Sequence, residues 1–190
     1  MAAKPVDSRT LTPSQTADVT IASEPGRYWT AVHTKPRCEK VVLQHCWTHQ
    51  IPVYLPLRRR AKRYQRRNVV TYLPMFPGYI FVQLDPERKN LLVRSNRVVH
   101  ILPVDEPAEE QLVRELNALR ELELTSAETE VVVQPEIAEG RTVRIAGGPM
   151  KGVTGIVSRR RDKIRVTVNI ELLGQSASAE VDVGDLEIEE

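Results

Sequence analysis

The sequence predicts an α+β domain, an antiparallel sheet with packed helices, followed by a small SH3-like all-β barrel. Three observations predict it. Strand-like and helix-like patterns follow one another in the order β-α-β-β-β-α-β-α across residues 27–124, which layers helices on a mainly antiparallel sheet. From Ile137 the pattern changes to short strands separated by turn residues. Between them, residues 125–136 have no clear period and read as a linker, with 131–133 as a short extended piece.

Composition narrows the class. The 190 residues suffice for two small domains, and charge is spread unevenly around a net of +2. From Val131 onward there are 8 Lys+Arg against 10 Asp+Glu, which leaves 19 against 15 in residues 1–130. No apolar run reaches the ~20 residues of a membrane span, and no secretory signal is visible. Cys38 and Cys46 share one predicted helix at ~12 Å, too far apart for a disulfide. A cytoplasmic, disulfide-free protein is expected.

The elements follow in order. Residues 1–26 are rich in Ser, Thr, Ala, Asp and Pro without apolar periodicity, and read as a disordered tail. Residues 28–33 form the first strand. Thr34 caps a helix over residues 35–50, with Pro36 in its first turn. Cys38, Val41, Val42, His45 and Cys46 make its apolar face, with Lys35, Arg37 and Lys40 toward water. Residues 53–55 are a short strand.

A basic run comes next. Arg58, Arg59, Arg60, Lys62, Arg63, Arg66 and Arg67 place seven cations in ten positions with no acid, around Tyr64. Such a run forms a loop or the arms of a hairpin. Its charges repel one another and gain most beside an anion, above all a nucleic-acid backbone.

Residues 71–84 organise the domain. Pro74 and Pro77 cannot donate ladder hydrogen bonds, and Gly78 lets the backbone turn. In the strand that follows, Tyr79, Phe81 and Gln83 share one face, and Ile80, Val82 and Leu84 the other. The aromatic face is either covered by the chain's own helices or offered to a partner. Asp85 opens a short helix through about Arg94, and residues 96–102 return as a strand. Asp105 caps a longer helix whose buried stripe is Leu112, Val113, Leu116 and Leu119. Its Glu109, Glu110, Glu115, Glu121 and Glu123 read as a solvated acidic face.

The barrel strands are residues 141–145, 153–158, 163–170, 178–183 and 186–188. His45, Cys46 and His49 share a helix, but nothing completes a four-ligand set, so neither metal nor cofactor is expected. No nucleophile–base pairing is visible, and the chain does not read as an enzyme.

Two motifs carry a resemblance. Residues 140–157, from Gly140 through the Gly147-Gly148-Pro149-Met150-Lys151-Gly152 turn to Val157, look like a KOW motif. Ahead of it, residues 28–32, the basic-faced helix and Phe76-Pro77-Gly78-Tyr79-Ile80-Phe81-Val82 resemble the N-terminal domain of the NusG family. The resemblance spans residues 27–190, with the KOW domain at 137–190. It implies a transcription elongation or antitermination factor that binds the β′ clamp helices of RNA polymerase and suppresses pausing or termination. On that resemblance the polymerase-binding depression involves Tyr28, Trp29, Tyr54, Phe76, Pro77, Tyr79 and Phe81. The KOW domain would meet ribosomal protein S10 or Rho through Met150, Leu172 and Leu173.

The sequence departs from the housekeeping pattern. The basic run is denser than expected, and Met150 stands where many relatives have an aromatic, which sets S10 or Rho binding in doubt. The chain is therefore more similar to the specialised RfaH-like and polysaccharide-operon (UpxY-like) paralogues. By position Lys89, Asn90, Arg94 and Arg97 would face non-template DNA, and the basic hairpin upstream duplex. Valines and isoleucines in the C-terminal strands favour a barrel over a helical hairpin. A monomer is expected. The competing reading is a ribosome-associated or RNA-binding KOW protein, which leaves the motif at Phe76 unexplained.

Overall fold

The computed structural model describes residues 11–64, 67–125, 132–135, 142–144, 154–156 and 164–181. Its centre is a four-stranded sheet in the order β2-β5-β1-β6, antiparallel at each junction: β1 is Tyr28–Thr34, β2 Val53–Tyr54, β5 Tyr79–Leu84 and β6 Val98–Ile101. Pairing of β1 with β5 runs from Tyr28↔Leu84 to His33↔Tyr79.

The alternation read from β5 divides two apolar clusters. Phe81 packs on one side with Trp29, Ala31, Leu112, Leu116 and Leu119, beneath helix α4 (Glu106–Thr125). Ile80, Val82 and Leu84 pack on the other with Val42, Leu43, Cys46 and Leu92, beneath α2 (Glu39–Thr48) and α3 (Pro86–Val93). With a helix layer on each face, β5 is buried from Ile80 to Leu84.

Several boundaries shift. The first long helix begins at Glu39, four residues later than expected, because Arg37 adopts a left-handed φ of 61° that no helix can contain. Its buried face is Glu39, Val42, Leu43 and Cys46, while Val41 is half-exposed. Asp85 and Asp105 cap as expected, accepting from Arg88 N–H and Ala108 N–H at 2.8 and 3.0 Å.

The N-terminal segment overturns the expectation of a disordered tail over residues 11–26; residues 1–10 lie outside the described residues. A single helical turn, α1 (Pro13–Thr16), touches both α4 and β3 (Leu57–Tyr64). Leu11 enters the α2-side cluster, whereas Ala17 and Ile21 enter the α4-side cluster. Asn117 Nδ2 and Arg120 donate to the carbonyls of Ile21 and Val19 at 2.9 and 2.6 Å. The Ala22 carbonyl accepts from both Trp29 Nε1 and Gln83 Nε2. Those anchors are distant in sequence, so the segment's own composition does not announce them.

In the C-terminal region the strands are β7 (Val132–Pro135), β8 (Thr142–Arg144), β9 (Thr154–Ile156), β10 (Ile164–Ile170) and β11 (Gln175–Val181). They make a three-stranded sheet, β10-β11-β7, and a two-stranded one, β8-β9. Part of the expected linker is therefore strand β7, whose Val132 pairs with Ser178. Residues 186–188 and Met150 lie outside the described residues. A 3-10 turn at Glu171–Leu173 ends on Gly174 at φ 59°, and this turn lies against α4. Ile170 and Ala177 complete the α4-side cluster.

Deleting residues 1–22 should lower stability by on the order of 4 kcal/mol, through lost apolar burial and the lost acceptors of Trp29, Gln83, Asn117 and Arg120. Urea midpoints of the full chain and the truncation test this; equal midpoints would show the segment to be dispensable.

Candidate interaction surfaces

Three surfaces are candidates for a functional contact. The first surrounds the Pro77-Gly78 turn. Gly78 has φ 86°, and a Cβ there would meet the His33 ring at 3.4 Å. The buried Glu39 carboxylate accepts the Gly78 N–H at 2.7 Å, and the Gly78 carbonyl accepts the Thr34 N–H at 2.8 Å. A turn pinned from both sides places Tyr79 face to face with His33, ring centroids 5.0 Å apart.

The seven aromatic and proline residues expected in a depression here are not equally accessible. Pro77 is exposed, and Tyr28 and Tyr79 are partly exposed. Trp29, Tyr54, Phe76 and Phe81 are fully buried. Phe81 meets Phe76 edge-on at 6.2 Å and Tyr54 at 6.5 Å. The cluster over Phe81 includes Leu112 and Leu116 of α4 and Ile170 and Ala177 of the C-terminal region. A partner reaches that ring only if these elements move. Leu172 and Leu173, expected to meet a partner, are packed against this same cluster. The Glu171 N–H beside them donates to Glu115 at 3.1 Å.

The second surface is the basic run, which forms the arms of a hairpin. Strand β3 pairs with β4 (Arg67–Pro74) from Leu57↔Pro74 to Tyr64↔Arg67 in a two-stranded ribbon separate from the main sheet. Arg60 is exposed, and Arg58 and Arg59 are half-buried near its base. Lys62, Arg63 and Arg67 lie on its backbone ladder, and Arg66 is outside the described residues.

The third surface lies at the end of α3. Lys89, Asn90, Arg94 and Arg97 are all exposed there. Two further cations join them: the Lys35 N–H donates to the Arg97 carbonyl at 2.8 Å, bringing exposed Lys35 and Arg37 beside this group. From sequence these two were merely outward residues of a helix. Their proximity to Arg97 depends on β1–β6 pairing, which no local pattern reveals.

The acidic face assigned to α4 is corrected. Glu110 and Glu121 are exposed, but Glu109, Glu115 and Glu123 are buried. Glu109 accepts the Trp29 N–H at 3.1 Å. Glu123 accepts the Leu57 N–H at 2.7 Å and the Tyr54 hydroxyl at 2.6 Å. Burial pushes the Glu123 carboxyl up to about 7, against the opposing pull of its hydrogen bonds with Tyr54 and Leu57. The Tyr54 hydroxyl is raised as well, by burial and then by Glu123. Lys40, expected to face water, is half-buried and donates to the Tyr72 carbonyl at 3.2 Å; burial lowers its ammonium from the usual lysine range. Among the described residues no cluster of His, Cys, Asp or Glu could hold a metal ion, and no helix is long and apolar enough to cross a membrane.

The raised Glu123 carboxyl binds its proton more tightly in the folded state than in the unfolded one. Its contribution is therefore fully present below about pH 4.5 and is lost as pH rises through about 7. The loss is on the order of 3 kcal/mol. Glu123→Gln, neutral throughout, should gain on the parent protein across that window. A stability difference independent of pH in paired urea titrations would refute this.

Residues 27–123, just over half of the chain, match a family described as "Transcription termination factor nusG". Among solved structures, "Domain interaction in Thermotoga maritima NusG" is similar at 22% identity, covering 84% of this chain and 95% of that chain, with a TM-score of 0.40. No curated protein matches.

Proposed function

We propose that this chain, which belongs to the NusG family of transcription factors, binds elongating RNA polymerase through the Pro77–Tyr79 surface and suppresses pausing or termination. Proteins of this family bind RNA polymerase and are not enzymes. The observation that carries the proposal is the pinned turn at Gly78, which leaves Pro77 exposed and Tyr79 partly exposed on a rigid support. A rigid aromatic loses little side-chain freedom on binding, which suits a recognition residue. The docking site on the polymerase would be the β′ clamp helices, with Trp29, Tyr54, Phe76 and Phe81 shaping the surface from beneath.

The basic ribbon supports a second part of the proposal. Exposed Arg60 and the neighbouring cations would meet upstream duplex, while Lys89, Asn90, Arg94 and Arg97, with Lys35 and Arg37, would meet the non-template strand. Unevenly distributed cations favour a specialised RfaH-like or UpxY-like paralogue acting on selected operons. The C-terminal strands would close into an SH3-like KOW barrel, with Met150 at its partner-binding end and S10 or Rho as the candidate partner. The protein would act as a cytoplasmic monomer.

Tyr79→Ala should abolish co-purification with polymerase that carries intact clamp helices, and leave the melting curve nearly unchanged. Replacing Phe81 as well is no clean test, because truncating a fully buried Phe costs ~3–5 kcal/mol. Retained binding by Tyr79→Ala would place the interface elsewhere. Separately, Arg59→Ala with Arg60→Ala should weaken DNA binding and reduce its salt slope by ~1–2. An unchanged slope would return the ribbon to plain surface.

A further inference from the structure

We infer that Glu123 and Lys40 are positioning residues that aim the basic ribbon, although neither lies among the cations proposed to touch nucleic acid. This rests on the reading of the ribbon as a nucleic-acid contact.

Among the described residues the ribbon has no ladder to the central sheet. Its covalent connections are Leu55-Pro56 on one side and Met75 to Gly78 on the other, closed by a hydrogen bond from Met75 N–H to the Pro56 carbonyl at 2.8 Å. A two-stranded ribbon joined in this way pivots about its base unless something else holds it.

Two ionisable side chains add to that hold, one from each helix layer, beside the contact of α1 with β3. Glu123 reaches from α4 and takes a backbone donor of β3, the Leu57 N–H, at 2.7 Å. Lys40 reaches from α2 and donates a hydrogen bond to a backbone acceptor of β4, the Tyr72 carbonyl, at 3.2 Å. The two helices lie on opposite faces of the sheet, so the arms are gripped from both sides. The hydrogen bond from the Lys40 ammonium is charge-assisted and so stronger than a neutral one. Tyr54 fixes the second oxygen of Glu123 at 2.6 Å, which leaves that carboxylate little rotational freedom. Residue Tyr72 stands opposite Arg59 in the ladder, so Lys40 holds the ribbon level with its first cations.

The consequence is specific. Freeing the base leaves every cation in place but lets the ribbon swing, so binding must also restore its direction. Affinity falls while the number of phosphate contacts, and hence the salt slope, stays the same.

The test uses the full chain with Cys38→Ser and Cys46→Ala. Spin labels are placed at Ala61→Cys on the ribbon and Glu110→Cys on α4, both exposed positions. Glu123→Leu and Lys40→Met should each broaden the distance distribution. Each should also weaken binding to a duplex with an unpaired bubble by roughly tenfold without changing the salt slope. Glu123→Gln, which still offers an oxygen to Leu57, should restore a narrow distribution. Lys40→Met, at a half-buried site, keeps the test open if Glu123→Leu fails to fold. A distribution that stays narrow in Lys40→Met overturns the inference. So does a reduced salt slope in that variant, which would make Lys40 a phosphate contact. Failure of the underlying reading looks different: Arg59→Ala with Arg60→Ala would leave DNA binding intact while the distance changes persist.

Discussion

Helix α4 holds the protein together through carboxylates that sit where apolar side chains would be expected. Glu109, Glu115 and Glu123 each accept a backbone N–H, from the start of β1, from the C-terminal 3-10 turn and from the start of β3 respectively. These amides lie at the starts of strands and of a turn that pack beside the helix. An unpaired buried amide costs ~1–3 kcal/mol, so the carboxylates are a condition of the packing. Leu112, Leu116 and Leu119 supply the apolar contact between them. The sheet thus docks through alternating greasy and polar contacts, and the polar ones set its register on the helix. Glu39 repeats the device from α2 at Gly78.

That arrangement explains what could be read from the chain in advance. Pro74, Pro77 and Gly78 constrain the backbone locally, and β5 follows from them. Asp85 and Asp105 act within three residues, and both caps formed as the pattern implied. The buried glutamates escaped because a carboxylate on a helix has the same local signature whether it meets water or an amide 66 residues away, as Glu123 does. Lys40 escaped for the same reason. The N-terminal segment is not legible in its own composition, because its few apolar anchors, Leu11, Ala17 and Ile21, follow no period and its remaining anchors are backbone carbonyls, which carry no sequence information. Arg37's left-handed conformation displaced the helix start, and no neighbouring Gly or Asn marked it. Of the candidate surfaces, the cations on the ribbon and on α3 were legible as charge. The division of aromatic residues into buried and accessible was not, since alternation along β5 gives the face but not what covers it.

The aromatic cluster therefore has two roles in one space. Phe76, Phe81, Tyr54 and Trp29 form the floor of the α4-side core, and their rings fix the shape of the layer above. At partly exposed Tyr79, beside exposed Pro77, that layer reaches the surface. Chemistry at this edge is coupled to the core: a substitution beneath it alters both stability and the presented shape.

The α4-side cluster draws Ala17 and Ile21 from near the beginning of the chain and Ile170 and Ala177 from near its end. On a ribosome, which releases the chain from its N-terminus, the central sheet and α4 emerge long before those last residues do. Through that interval the nascent domain holds an unfinished apolar surface beside Leu112 and Leu116, open to chaperones or to neighbouring chains. The core is thus completed only once residues 170–177 have emerged, and a chain cut between residues 126 and 169 would keep every strand of the central sheet but leave this flank open.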